Sequence, residues 1–302
     1  MEGSPIRAVR RTAATLFWLA GLVVVCAGHA QDAGTLRASQ VAFRDQLANN
    51  QFHRPLVLAS SNADSVLEGD AYAVVAQPYD AVARSLQGPG RLCDVLILHI
   101  DVKNCRPRRT ANRNILSVFV ALRSDRSPAD AHRINFTYRV AANDSDYMAL
   151  VLDADSGPMG TKDYRIMLEA IPRDAKSSFV HLSYSYAAGV AARIATRAYL
   201  ATVGRDKVGF SIVGREPDGA PVYVGNERGM IERNTMRYFL AIEAYLSACT
   251  LPEAEQPEKR LNAWFTATER YPRQLHEIER DEYLAMKRKE LAQQEMTAAN
   301  VN

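Results

Sequence analysis

Residues 177–186, SSFVHLSYSY, change sides at every position. Val180, Leu182, Tyr184 and Tyr186 share one face, and Phe179, His181, Ser183 and Ser185 share the other, which is the period of a strand. RINFTYRVA (133–141) and KDYRIMLEAIP (162–172) alternate in the same way. ILSVFVALR (115–123) and DYMALVLDAD (146–155) are more continuous apolar runs of strand length. Short polar connections such as SGPMGT (156–161) and RDAK join these runs. They predict an antiparallel meander, because parallel neighbours need long crossovers. GDAYAVVAQP (69–78) adds an earlier strand, and VGFSIVG (208–214) and PVYVG (221–225) a later hairpin around REPDGA.

Helical spacing fills most of the remainder. YDAVARSLQGPG sets Tyr79, Val82 and Leu86 on one face and stops at Gly88-Pro89-Gly90. RLCDVLILHIDV is read as a second helix. After Ala187, a helix carries Ala188, Ala191, Ile194, Ala195, Ala198 and Tyr199 on one stripe. MIERNTMRYFLAIEAYLSAC (230–249) is the strongest helix, with Met236, Phe239, Leu240 and Leu246 in register and Pro252 beyond its end. Residues 31–68 read as a short helix near 35–49 and a connector. The tail predicts two helices broken by Pro272, the second a mostly charged, solvated one with Leu275, Ile278, Tyr283 and Met286 as a thin stripe.

The first residues change the setting. Arg7, Arg10 and Arg11 precede an apolar stretch from Ala13 to Cys26, and Gly28-His29-Ala30 supplies small residues for cleavage before Gln31. This predicts a signal peptide over 1–30 and a periplasmic or secreted protein. The stretch is shorter than the ~20 residues that span a bilayer. The whole chain carries a net charge of +3, and removing residues 1–30 leaves it nearly neutral. Such a chain has no global field for nucleic acid or anionic membrane. The arginine-rich RPRRTANRN (106–114) has no interleaved aromatic for stacking bases and reads as a solvated loop.

In an exported protein, Cys93 and Cys105, twelve apart, are a disulfide candidate, and Cys249 is left over. No paired CxxC or second histidine at ligand spacing accompanies His99, so no metal is expected; nor is any cofactor.

His181, Ser183 and Ser185 share a strand face, but i and i+2 neighbours lie about 7 Å apart, too far for a nucleophile and its base, and no GxSxG elbow is present. That row reads as a polar sheet face or a pocket wall. Arg193 with Arg197, and Arg233 with Arg237, are helical pairs that could grip a carboxylate or phosphate or pair with Glu232, Glu169 or a tail acid. Tyr164, Tyr184, Tyr186 and Tyr238 could line an amphipathic pocket or pack an ordinary core.

The order of strand, two helices, meander and long helix resembles the START-like helix-grip fold, in which a curved sheet wraps a long helix and leaves a cavity. RLCDVLILHIDVKNC, GPMGTKDYRIMLEA, HLSYSYAAGVAARIATRAYLAT, RGMIERNTMRYFLAIEAYL and WFTATERYPRQLHE resemble a family of exported proteobacterial proteins, a resemblance that brings no activity with it. The expectation is therefore an α+β protein: a signal peptide (1–30), an N-terminal extension (31–68), a START-like domain (69–250) with 230–249 as the gripped helix and 187–203 as the alternative, and a helical tail (251–302). It would hold an apolar or amphipathic ligand, plausibly a lipid, with Tyr164, His181, Tyr184, Tyr186, Arg233, Arg237 and Tyr238 as candidate binding residues. A cavity-based hydrolase or cyclase and a non-catalytic envelope interaction protein are the alternatives.

Overall fold

A computed structural model describes residues 32–121, 130–202 and 204–299; the predicted signal segment lies outside the described residues. Helices α1 (Ala33–Ala42) and α2 (Arg44–Ala48) open the described chain. Strands β1 (Leu56–Ala63) and β2 (Val66–Val75) follow, then helices α3 (Tyr79–Leu86) and α4 (Pro89–Leu96). The meander runs through β3 (Val102–Arg109), β4 (Asn114–Val120), β5 (His132–Asn143), β6 (Met148–Ser156), β7 (Thr161–Asp174) and β8 (Ser177–Ala188). Helix α5 (Val190–Ala201), a hairpin of β9 (Ile212–Arg215) and β10 (Pro221–Tyr223), and the long helix α6 (Asn226–Leu246) come next. Helices α7 (Gln256–Thr268), α8 (Pro272–Leu275) and α9 (Arg280–Ala299) form the tail.

The first eight strands make one antiparallel sheet in the order β1-β2-β8-β7-β6-β5-β4-β3. On its concave face, Leu67, Ala71, Leu150, Leu168, Leu182 and their neighbours join Ile231, Met236, Phe239 and Leu240 of α6 in a single core. This is the START-like helix-grip fold, and α6 is the gripped helix. The contact is close: a Cβ built on Gly69 of β2 would fall 2.2 Å from Thr235 Oγ1 of α6, so only glycine lets the strand and helix approach this far.

Several local expectations change. Residues 56–63 form an edge strand on β2 rather than a connector; only its first residues, Leu56 and Val57, are buried, so its pattern is mostly polar. The arginine-rich 106–114 segment is largely strand, with β3 and β4 closed by a turn at 110–113. Part of the predicted stripe of α5 is exposed: Ile194 is 63% exposed and Ala198 is exposed, whereas Ala192 and Leu200 are buried. Residues 208–211 are held by Glu232 of α6, whose carboxylate accepts from Phe210 N–H, Ser211 N–H and the Ser211 and Ser60 hydroxyls at 2.6–2.8 Å.

The tail is docked, not solvated. Tyr283, Lys287 and Glu290 of α9 are buried. Gln294 accepts from Cys105 N–H at 2.8 Å, so α9 covers the exposed edge of β3, which would otherwise present unpaired backbone groups. Cys93 and Cys105 form the expected disulfide and tie α4 to β3, a closure worth about 3 kcal/mol in the chain-entropy account. Cys249, just beyond α6, is free, with its thiol donating to Tyr245 O. Among the described residues, no helix is long and apolar enough to cross a membrane.

Candidate functional site

Strand register builds the floor of a chamber under α6. Two rows of directly paired residues cross β6, β7 and β8: Leu150–Leu168–Leu182 and Leu152–Ile166–Tyr184. Helix α4 closes it with Leu92, Val95 and Leu96, and α6 with Tyr238 and Ile242. Both sets repeat at three- and four-residue spacing, so each helix turns one face inward. The chamber measures about 30 Å³, space for a water or two and roughly a tenth of the ~300 Å³ at the lower end of ligand pockets.

Tyr238 lines the chamber, and Tyr184, Tyr164 and Tyr186 pack in series beside it. The Tyr184 and Tyr238 ring centroids lie 5.4 Å apart, Tyr164 stacks on Tyr186 at 5.1 Å, and Tyr184 sits 6.5 Å from Tyr164. The Tyr164 hydroxyl pairs with Thr161 Oγ1 at 2.7 Å. The hydroxyls of Tyr184, Tyr186 and Tyr238 make no hydrogen bond among the described residues. Burial, reinforced by neighbouring tyrosines or carboxylates, raises the pKa of all three. They remain protonated donors.

His99 packs behind Tyr238. Its ring packs 4.6 Å from that of Tyr238, and its Nδ1 accepts from Asp101 N–H at 3.1 Å. Nε2 therefore carries the proton, and it is buried with no partner among the described residues. Burial, with Arg237, Lys287 and Lys103 nearby, pushes the imidazole pKa well below its ordinary value, so the ring is neutral. A buried donor without a partner costs about 1–3 kcal/mol. A neutral imidazole N–H and the Tyr238 hydroxyl next to an apolar void can bind the acceptor end of a small molecule.

The seven candidate binding residues fall into three places. Tyr164, Tyr184, Tyr186 and Tyr238 come together as described. His181 lies on the opposite, convex face of the sheet, with Phe179 and Tyr72. Leu36 of α1 belongs to the same buried cluster, and Phe43 at the α1–α2 junction packs against it. There its ring stacks on Tyr72 at 4.1 Å, its Nδ1 meets Glu169 Oε2 and its Nε2 meets Asp70 Oδ1, each at 2.8 Å. The Tyr147 hydroxyl donates to Glu169 Oε1 at 2.5 Å. Burial opposes charging His181, but the bonds to Asp70 and Glu169 outweigh it and lift the pKa to about 9. His181 is thus neither cavity wall nor wet surface.

Arg233 and Arg237 face away from the sheet. Arg233 donates to Val208 O at 3.2 Å, and Arg237 to Glu277 Oε1 at 2.7 Å. The latter is a tail acid, the partner type the sequence allowed. From sequence alone, His99 stands out only as a possible metal ligand. Its place at the end of an apolar run, LILHID, was the one available signal for a buried polar group.

No protein-family model and no curated protein matches the chain. Solved structures do resemble it. A conserved protein from Geobacillus kaustophilus is 10% identical over 60% of this chain and 95% of its own, with a TM-score of 0.36. A START superfamily protein from Mycobacterium smegmatis is 9% identical over 45% and 89%, at 0.32. The Zhui aromatase/cyclase of a Streptomyces species is 11% identical over 68% and 94%, at 0.33. These likenesses carry no functional argument.

Proposed function

We propose that this is an exported binding protein that takes a small amphipathic molecule, plausibly a lipid, between the sheet and α6. The apolar body would occupy the leucine-lined chamber, and a hydroxyl, carbonyl or carboxyl end would accept from His99 Nε2, Tyr184 and Tyr238. The observation that carries this reading is His99 Nε2, a buried donor with no partner among the described residues, on a ring packed against Tyr238, which lines an otherwise apolar void. Buried polar groups are nearly always paired, and a ligand's acceptor would pair this one.

The chamber is closed down, so binding requires α4 to move away from α6. Apolar contacts between Leu92, Val95 or Leu96 and Tyr238 or Ile242 yield more readily than the sheet ladder, and the disulfide keeps α4 attached while it moves. Export rests on the basic and apolar segment at 7–26.

Delipidated protein titrated calorimetrically with straight-chain alcohols and carboxylic acids tests the reading. Saturable one-to-one binding is expected, with the Tyr184→Phe/Tyr238→Phe double variant about tenfold weaker. An absence of binding across the series, together with no co-purifying molecule in native mass spectrometry, would overturn it.

A further inference from the structure

The additions to the simple helix-grip pattern meet at a second cleft, which shares no lining residue with the chamber. The α2–β1 connection supplies Phe52 and Arg54, the segment before β9 supplies Phe210, and β10 supplies Tyr223. The α7–α8 junction supplies Arg270, Tyr271 and Arg273. The cleft holds about 490 Å³, within the ~300–1,000 Å³ of small-molecule sites.

Its floor is aromatic and its rim is basic. Phe52, Phe210 and Tyr271 form a three-way cluster with ring centroids 5.5–6.0 Å apart. The guanidinium of Arg273 lies 5.4 Å from the Tyr223 ring. Arg54 is paired with Glu243. Arg270 and Arg273 are exposed and have no carboxylate within ion-pair distance among the described residues, and no acidic side chain lines the cleft. The walls are held in place: Gln51 Nε2 donates to Phe210 O at 2.8 Å, Asn50 Oδ1 accepts from Phe52 N–H at 2.9 Å, and Asn50 Nδ2 donates to Arg54 O at 2.7 Å. His53 adopts φ 52° at the tip of this loop.

We infer that this cleft binds an organic anion with a flat apolar body, the ring lying on Phe52, Phe210 and Tyr271 and the carboxylate, sulfonate or phosphate reaching Arg270 and Arg273. Two unpaired guanidinium groups give the anion a directional, multidentate partner. The aromatic floor supplies apolar area and ring contacts that favour a planar body over a bare ion.

The test uses the full chain and naphthoate, followed by calorimetry or tyrosine fluorescence. Saturable binding is expected, at least about tenfold tighter than for the uncharged naphthalenemethanol, and weaker at high ionic strength. Arg270→Gln/Arg273→Gln should weaken it at least about tenfold with an unchanged melting temperature, because both side chains are exposed. Leu168→Phe, which fills the chamber under α6, should leave it unchanged. No saturable binding, equal binding of the neutral compound, or equal binding by the arginine variant would overturn the inference. Loss of naphthoate binding in Leu168→Phe alone would assign the ligand to the chamber and also overturn it, while leaving the reading of the chamber standing.

Discussion

Glu169 Oε2 and His181 Nδ1 lie 2.8 Å apart on directly paired positions of β7 and β8, on the sheet face turned away from α6. With Asp70 on the other ring nitrogen, the arrangement favours imidazolium. The folded pKa, about 9, exceeds the ordinary 6.5, so the native state holds its proton more tightly than the unfolded chain. The resulting stability is full below about 6.5 and is lost as pH rises through about 9. Urea denaturation across that window should show falling stability from this group. His181→Phe should remove that contribution and cost about 3–5 kcal/mol at the acidic end, because it leaves two carboxylates facing an apolar ring. A wild-type-like slope in that variant would contradict the assignment.

Buried and exposed ion pairs on α9 should separate clearly. Glu290 meets Lys103 at 3.1 Å and Lys287 at 2.8 Å, all three buried, whereas Glu258 pairs with Arg288 at 2.6 Å in the open. Glu290→Ala should cost about 3–5 kcal/mol by leaving two buried ammonium groups without a carboxylate. Glu258→Ala should cost at most about 1 kcal/mol. Chemical denaturation measures both, and equal costs would refute the docking of α9. Burial also lowers the Lys287 pKa to about 8 from 10.5, despite Glu290. Its contribution therefore runs opposite to that of His181, and stability from this group rises between those two values.

Gly69 and Thr235 offer a cycle. Gly69→Ala places a Cβ against Thr235 Oγ1 and should destabilise by about 1–3 kcal/mol, the usual range for overpacking. Thr235→Ala should relieve part of that cost, giving a coupling energy of about 0.5 kcal/mol or more. Strict additivity in the cycle would mean that β2 and α6 are not in contact there.

Much of this fold was legible because period and burial coincide. The alternation in 162–172 and 177–186 sorted Leu168, Leu182 and Tyr184 onto the face that α6 covers, and the spacing of 230–249 marked the gripped helix. The position of His181 was half legible. Alternation placed it opposite Leu182, but nothing local shows that α1 and Phe43 cover that face, or that register brings Glu169 and Asp70 to its two nitrogens. Strand β1 was hidden because its outer residues, ASSNA, satisfy an exposed edge without an apolar pattern. The docked tail is hidden for a related reason: Lys287 and Glu290 look solvated in sequence, and only the fold brings Lys103 to Glu290 and the carbonyls of His99 and Val102 to within 2.7 Å of the Lys287 ammonium, which makes burying them tolerable. The donor end of the chamber needed tertiary structure, since His99 and Tyr238 are far apart in the chain.

The most direct test of the chamber is a methyl-labelled NMR titration of delipidated protein with a straight-chain alcohol or carboxylic acid. Saturable shifts concentrated on Leu92, Leu96, Leu150, Leu152, Ile166, Leu168, Leu182 and Ile242 are predicted, with Leu168→Phe abolishing them. Methyl signals that stay in place at saturating ligand, or that move only outside this set, would contradict the account.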